Sequence, residues 1–315
     1  MSAIKRLHIS DKMLLELKNK YSPTQEQTAD IFGFKWAKRD TYESDAVKKM
    51  AREWQLERYG KYCTDILDWL DKGEKKIILD AGCGSAFSAL LFFGDHLKKH
   101  DFLGVDISTA VNVARERFAE KNYPADFFQC SLMELPFADE SVDLIFSEGV
   151  LHHTDSTENA IKYLAKKLKK GGKIMFYVYN KKSVIREFTD DHIRESIKPM
   201  SDEEAWTALE SLTKLGIALG ELKVDLDVPE DVPYLGIKKG KMDIQRFFYW
   251  HICKMYYRPE MTLDEMNHIN FDWFRPMNCH RQTPEQVRQW CEEAGMEIEH
   301  MNVQESGIST VARKL

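Results

Sequence analysis

The sequence predicts an α/β fold, a mainly parallel, doubly wound sheet with helices on both faces, preceded by N-terminal helices and broken by a mostly helical insertion. Three observations predict it. Strand-length apolar runs alternate with helix-length segments between residues 75 and 180, a glycine loop joins the first strand to its helix, and after Asn180 the alternation stops until Thr283.

Taken in order, residues 11–20 and 43–72 carry helical periodicity, with Leu56, Tyr59, Tyr62, Cys63, Leu67, Trp69 and Leu70 marking the apolar face. The segment between them, Ile31-Phe32-Gly33-Phe34-Lys35-Trp36, reads as too aromatic for a plain linker and too glycine-broken for a helix. Residues 1–74 are therefore an N-terminal helical appendage. The core, 75–180, alternates strands at 76–80, 102–106, 126–129, 142–147 and 173–178 with helices at 85–99, 108–121 and 158–169. Strands separated by helix-length connections imply right-handed crossovers and parallel pairing. Gly171-Gly172, after a lysine-rich helix end, marks a helix stop and strand start. An aromatic-rich insertion occupies 181–282, and a helix at 283–294 followed by strands near 296–303 and 307–312 completes the core.

Composition bounds the function classes. Of 315 residues, 43% are hydrophobic and 30% charged, the balance of a globular chain with no apolar run long enough to span a bilayer. The N-terminus lacks the apolar stretch of a secretory signal, so a cytoplasmic location is expected. Six scattered cysteines without a CxxC pair argue against a disulfide framework and against a metal site, and none is predicted. The net charge of −6 gives no long-range attraction for nucleic acid, so a small-molecule partner is expected and a nucleic acid is not.

The run Ile77-Ile78-Leu79-Asp80-Ala81-Gly82-Cys83-Gly84-Ser85-Ala86-Phe87 passes from a buried strand into a helix, with glycines where the backbone turns tightly and lets a ligand approach. A dinucleotide fingerprint fails, because Phe87 stands where its third glycine belongs. Asp80 would repel a pyrophosphate and attract an ammonium or sulfonium. Asp106 ends the second strand, where a carboxylate accepts hydrogen bonds from two ribose hydroxyls. Either acid alone also reads as a helix cap; the pair on successive strands favours a ligand.

Leu79-Asp80-Ala81-Gly82-Cys83-Gly84-Ser85 resembles the first motif of class I S-adenosylmethionine-dependent methyltransferases, and Gly104-Val105-Asp106-Ile107-Ser108 the second. Residues Ser131 to Phe137 and Phe146-Ser147-Glu148-Gly149-Val150-Leu151-His152-His153 are similar to the family's adenine-side and fourth-strand segments, and Gly171-Gly172-Lys173 to its fifth-strand entry. The resemblance covers about a third of the chain, residues 75–180. It implies a Rossmann-like, seven-stranded sheet whose last two strands form a hairpin, S-adenosyl-L-methionine as cofactor, and cofactor contacts from Asp80, Gly82, Cys83, Gly84, Asp106, Ile107, Ser131, Leu132, Ser147, Glu148 and Leu151. Two positions depart from the family: Ala86 replaces a common third glycine, and Ser131 an aspartate that meets the adenine amino group.

Methyl transfer needs an acceptor aligned behind the methyl carbon, exclusion of water, and a base where the acceptor must lose a proton. His152 and His153 follow the fourth-strand motif, and either is the candidate base, with core packing or a turn cap as the alternative. Tyr177, Tyr179 and Asn180 leave the fifth strand at the ligand-binding edge and are expected to line the acceptor pocket. In the insertion, an apolar helix through Ile244, Phe247, Phe248, His251, Ile252 and Met255 has Tyr249 on another face. It reads as core or dimer interface, or as a lid over a bulky acceptor, and it leaves an oligomer open. Trp273 lies in a mixed aromatic and polar stretch suited to orienting a substrate. A likeness to a bacterial methyltransferase subgroup, carried by Phe32-Gly33-Phe34-Lys35-Trp36 and the 271–284 stretch, places Trp36 and His280 near the cleft. The acidic run 202–231 reads as a solvated face. The expected function is methylation of an oxygen or nitrogen of a small metabolite. The alternatives are an RNA or peptide methyltransferase, or a catalytically silent cofactor-binding protein whose insertion docks a partner.

Overall fold

A computed structural model describes residues 21–315, so the helix expected over 11–20 lies outside the described residues. These residues form two units. The first holds the described residues up to 37 together with 50–180 and 278–315, and the second holds 38–49 and 181–277. The N-terminal segment is thus shared between the units rather than standing apart, and the chain re-enters the core at 278 rather than 283.

Nine strands are described: β1 (Ile77–Ala81), β2 (Asp101–Asp106), β3 (Ala125–Gln129), β4 (Val142–Glu148), β5 (Leu168–Tyr179), β6 (Asp225–Val228), β7 (Gly240–Asp243), β8 (Met296–Val303) and β9 (Gly307–Lys314). The helices are α1 (Pro23–Ala37), α2 (Asp45–Tyr59), α3 (Tyr62–Asp71), α4 (Phe87–Phe93), α5 (Ala110–Glu120), α6 (Thr157–Lys167), α7 (Val184–Ile197), α8 (Asp202–Glu221), α9 (Ile244–His251), α10 (Leu263–Phe274) and α11 (Pro284–Glu293).

In the first unit seven strands form one sheet in the order β3-β2-β1-β4-β5-β9-β8, parallel from β3 to β5, with β8 and β9 an antiparallel hairpin beside β5. Strand side chains alternate between faces, and both faces are buried. Leu79, Val105, Ile145 and Phe176 pack with Ile161 and Leu164 of α6 and Val287 and Cys291 of α11. Ile78, Phe102 and Phe146 pack with Cys63 and Leu70 of α3, Phe93 of α4 and Phe118 of α5. Two-sided burial is why β1 and β2 read as continuous apolar runs. The Gly171-Gly172 pair lies inside β5 instead of before it. Leu168 already pairs with Val142, the register slips before Lys173 meets Leu144, and Gly171 takes φ 75°. The glycines serve a bulge, which needs a positive φ and little side-chain bulk.

Residues 31–36 are helical, contrary to the sequence reading. Glycine lowers helix propensity, but a Cβ on Gly33 would sit 2.7 Å from the Thr109 hydroxyl, so the glycine marks where α1 lies close against the start of α5. Where the chain leaves β5, Asn180 bridges Gln282, whose backbone N–H donates to the Tyr179 carbonyl at 2.9 Å.

The second unit is helical except for the β6–β7 ribbon. Capping boxes start α8 at Ser201 with Glu204 and α10 at Thr262 with Glu265. Between them lies a buried polar network: Thr213 donates to Asn267, Asn270 donates to Thr213, and Asn267 donates to the Trp206 carbonyl. Helix α9 ends at His251, short of the span expected from its apolar spacing. Gln245 and Arg246 donate to the carbonyls of Met255 and Tyr257, holding the following chain in a non-helical path. Among the described residues no helix is long and apolar enough to cross a membrane.

Gly33→Val inserts a branched side chain where α1 meets Thr109, and overpacking of this kind costs about 1–3 kcal/mol. Urea unfolding is expected to show a lowered midpoint with unchanged slope; a midpoint equal to wild type would mean that α1 does not pack there.

Candidate active site

Both acids singled out from the sequence lie at the carboxyl edge of the sheet on adjacent strands, Asp80 within β1 and Asp106 at the end of β2. The loop between β1 and α4 is held to β2 by its backbone: Gly82 and Cys83 N–H groups donate to the Val105 carbonyl at 2.8 and 2.9 Å, and Gly84 N–H donates to Asp106 Oδ2 at 2.7 Å. Gly82 and Gly84 take φ 84° and 50°, and a Cβ on Gly82 would strike Val150. These glycines are required by the turn and by crowding. Ala86, at the family's third glycine, also adopts a left-handed conformation (φ 55°), which explains why glycine is common at that position.

Asp106 accepts from Gly84 through one oxygen and from the Ser108 N–H and hydroxyl (2.8 and 2.6 Å) through the other. Burial raises its pKa above the ordinary 3.8, while the bonds from Ser108 and Gly84 and the charge of Lys35 act in the opposite direction. Asp80 is 3% exposed, and burial, then the charges of Asp106 and Glu148, push its pKa well above 3.8. A carboxyl whose pKa is raised on folding favours the fold at low pH, and that contribution is lost as pH rises from 3.8 through the raised value. A cation bound beside it reverses the loss.

Glu148 forms an ion pair with Arg58 of α2 at 2.7 Å and accepts from the Tyr59 hydroxyl. Arg58 lies over the rings of Trp54 and Tyr177, 3.8 and 4.6 Å from their centroids. Ser147, expected at the cofactor, donates to the Ala81 carbonyl at 2.7 Å and ties β4 to β1. Ser131 Oγ accepts from Met133 N–H at 3.1 Å, Leu132 and Leu151 are buried in the core, and the Ile107 carbonyl accepts from Gln129.

His152 and His153 are both buried in a short 3₁₀ turn after β4. The His152 ring lies 3.6 Å from the Tyr179 ring at 32°, and His153 meets the rings of Tyr179 and Phe32 edge-on at 5.6 and 5.1 Å. His153 Nδ1 is 2.6 Å from the Asn278 carbonyl. A carbonyl only accepts, so Nδ1 carries the proton, and in the neutral ring the lone pair is on Nε2. Tyr177 packs against Gly307, and Asn180 donates to the Gln304 carbonyl, anchoring the β8–β9 turn. His280 donates its backbone N–H to the His152 carbonyl. Trp36 lies against the glycine loop: a Cβ on Gly84 would be 2.6 Å from the indole nitrogen. Tyr249 and Trp273 belong to the second unit. Trp273 donates to Asp190, which pairs with Arg186, and Arg186 donates to the Tyr249 carbonyl. Both aromatic residues are buried there.

A cation beside a sugar would suit these features. A carboxylate offers about four lone-pair sites, so Asp106, with three protein bonds, retains capacity for one ribose hydroxyl. Residues 79–176 match the family model described as a methyltransferase domain. The core is a class I S-adenosylmethionine-dependent methyltransferase domain. The donor fits the residues that surround the loop, with Asp80 suited to its ammonium group and Asp106 to its ribose.

The same methyltransferase core is 31% identical over 121 residues to the probable tRNA methyltransferase 9B of Mus musculus, covering 38% of this chain and 25% of the relative. It is 30% identical over 126 residues to the tRNA U34 carboxymethyltransferase of Shewanella sediminis, covering 39% and 35%. The chain thus spans about a quarter to a third of the length of these curated relatives. Among solved structures, magnesium protoporphyrin IX methyltransferase from Synechocystis PCC 6803 with bound SAH resembles it over 93% of this chain and 100% of that one, at 14% identity and TM-score 0.49. The expectation of a small-molecule partner and no nucleic acid is overturned by the tRNA methyltransferases among the relatives. Net charge averages over the whole surface, whereas a nucleic acid meets only local groups.

Sequence reasoning did not find Arg58, Tyr59, Trp54 or Asn278. Arg58 and Tyr59 lie far along the chain from Glu148, Trp54 from Tyr177 and Asn278 from His153. Removing the Asp80 charge by Asp80→Asn is expected to weaken donor binding about 10- to 100-fold, as loss of a charge-assisted bond does. Calorimetry of the wild type in buffers of different ionisation heat should show proton release on binding and affinity rising with pH. Proton uptake would contradict the assignment.

Proposed function

We propose that the chain is an S-adenosylmethionine-dependent methyltransferase whose acceptor is RNA, in the first instance a transfer RNA. The observation that carries the methyltransferase reading is the pair of buried acids, Asp80 and Asp106, at adjoining strand ends around the glycine loop. The acceptor class is supported by the curated tRNA methyltransferases that share this core.

The bound donor supplies an electrophilic methyl group on a sulfonium sulfur. Asp80 holds the donor's ammonium, Asp106 its ribose, and the Gly82–Gly84 turn gives close backbone access, so orientation supplies most of the rate. Where the accepting atom carries a proton, His153 takes it at Nε2, with the Asn278 carbonyl fixing the tautomer and Phe32 and Tyr179 fixing the ring. His152, stacked on Tyr179, holds the wall behind it.

Transfer of tritiated methyl from the donor into unmodified tRNA, followed by nucleoside analysis, is the direct test. Label in an RNA nucleoside is expected; label confined to small molecules or protein, with none in RNA, overturns the acceptor assignment. His153→Ala should lower the single-turnover rate about 10²- to 10⁴-fold with donor affinity little changed. An unchanged rate removes the base role.

A further inference from the structure

Four cationic side chains of the second unit gather on one indole. Lys182 Nζ, Arg186 Cζ, Arg194 Cζ and Lys254 Nζ lie 5.3, 5.7, 5.5 and 5.2 Å from the Trp273 ring centroid, the range of cation–π attraction. Lys182, Arg186, Asp190 and Arg194 recur at four-residue spacing, which sets them along one face of α7 and its entry. The buried carboxylate of that face is already shared. Asp190 takes Arg186 Nε and the Trp273 indole N–H through one oxygen and the Lys254 backbone N–H through the other. Arg194 is bonded on one edge only: its Nη1 donates to the Pro276 carbonyl at 2.9 Å, whereas Nε and Nη2, both buried, make no hydrogen bond among the described residues. Asp191 Oδ1 stands 3.8 Å from Nε, within ion-pair range and beyond hydrogen-bonding distance, on a side chain that is 51% exposed. Leaving buried donors of a charged group unbonded is expensive, so the arrangement calls for an acceptor.

We propose that this cluster is an oxyanion site for a phosphate group, gripped side-on by Nε and Nη2 of Arg194, with Lys182 and Lys254 supplying charge around the same ring. Nε and Nη2 form one edge of the guanidinium fork, whose parallel N–H groups match two oxygens of a single oxyanion. Phosphate suits the cluster better than carboxylate does. Once the fork has engaged two oxygens, a phosphate still offers further oxygens and charge to the two ammonium groups, and a carboxylate does not. The site uses none of the donor residues and does not depend on the acceptor class. Two sources share the chemistry, a free phosphate ester and a phosphate of an RNA backbone.

The test is calorimetry with inorganic phosphate on the full chain, at an ionic strength held constant with chloride so that screening does not change. The wild type is expected to bind phosphate saturably. Arg194→Gln should bind it about 10- to 100-fold more weakly, as loss of hydrogen bonds to a charged group does. Arg194→Lys keeps the charge and loses the fork, and should weaken binding by about tenfold. A wild type that binds no phosphate overturns the proposal. So does wild-type affinity in either variant, the result that a merely structural arginine would give. Should neither Arg194 variant fold, Asp191→Asn decides on an exposed side chain: with no carboxylate competing for the fork, phosphate is expected to bind about twofold to fivefold tighter, and unchanged or weaker binding overturns the assignment. Phosphate titrated into wild type saturated with unmodified tRNA then names the source. Heat lost there supports the site with an RNA phosphate as its occupant, and heat retained supports it with a free phosphate ester.

Discussion

Two carboxylates buried on adjacent strands set the terms for the rest of the first unit. Neither Asp80 nor Asp106 is solvated, and each raises the electrostatic cost of the other. The surroundings compensate unequally. Asp106 collects three hydrogen bonds from the loop and from Ser108, whereas Asp80 is left with its environment pushing it toward the neutral form. Such an imbalance is tolerable where a cationic ligand completes the site, as the proposed donor would.

The N-terminal helices belong to this arrangement and are no mere appendage. Arg58 and Tyr59 of α2 meet Glu148 at the end of β4, and Trp54 and Tyr177, edge to face with each other, both lie against the guanidinium. A buried ion pair adds little net stability against an apolar replacement, yet breaking one leaves a buried charge. Its effect here is to fix where the end of β4 stands relative to α2, and with it the turn that carries His152 and His153.

The parallel sheet and the acid pair were legible because two-sided burial writes itself as apolar runs and because a tight turn demands glycine at fixed places. What escaped was decided by contacts between distant segments. Gly33 looked like a helix breaker and instead marks a close approach to Thr109, which no local pattern contains. The apolar spacing past His251 suggested a longer helix, but side chains of Gln245 and Arg246 bind the carbonyls that follow. Glu148 carries an ion pair with Arg58, ninety positions earlier in the chain, which no local pattern announces. Bulk charge could not exclude a nucleic acid, because it carries no information on where charges sit.

Where the chain departs from β5 and where it comes back, Asn180 and Gln282 are bridged. The ends of the long excursion between them are therefore already joined, and the entropy of closing that loop grows only with the logarithm of its length. An excursion of another length across the same bridge would therefore change the cost of closing it little.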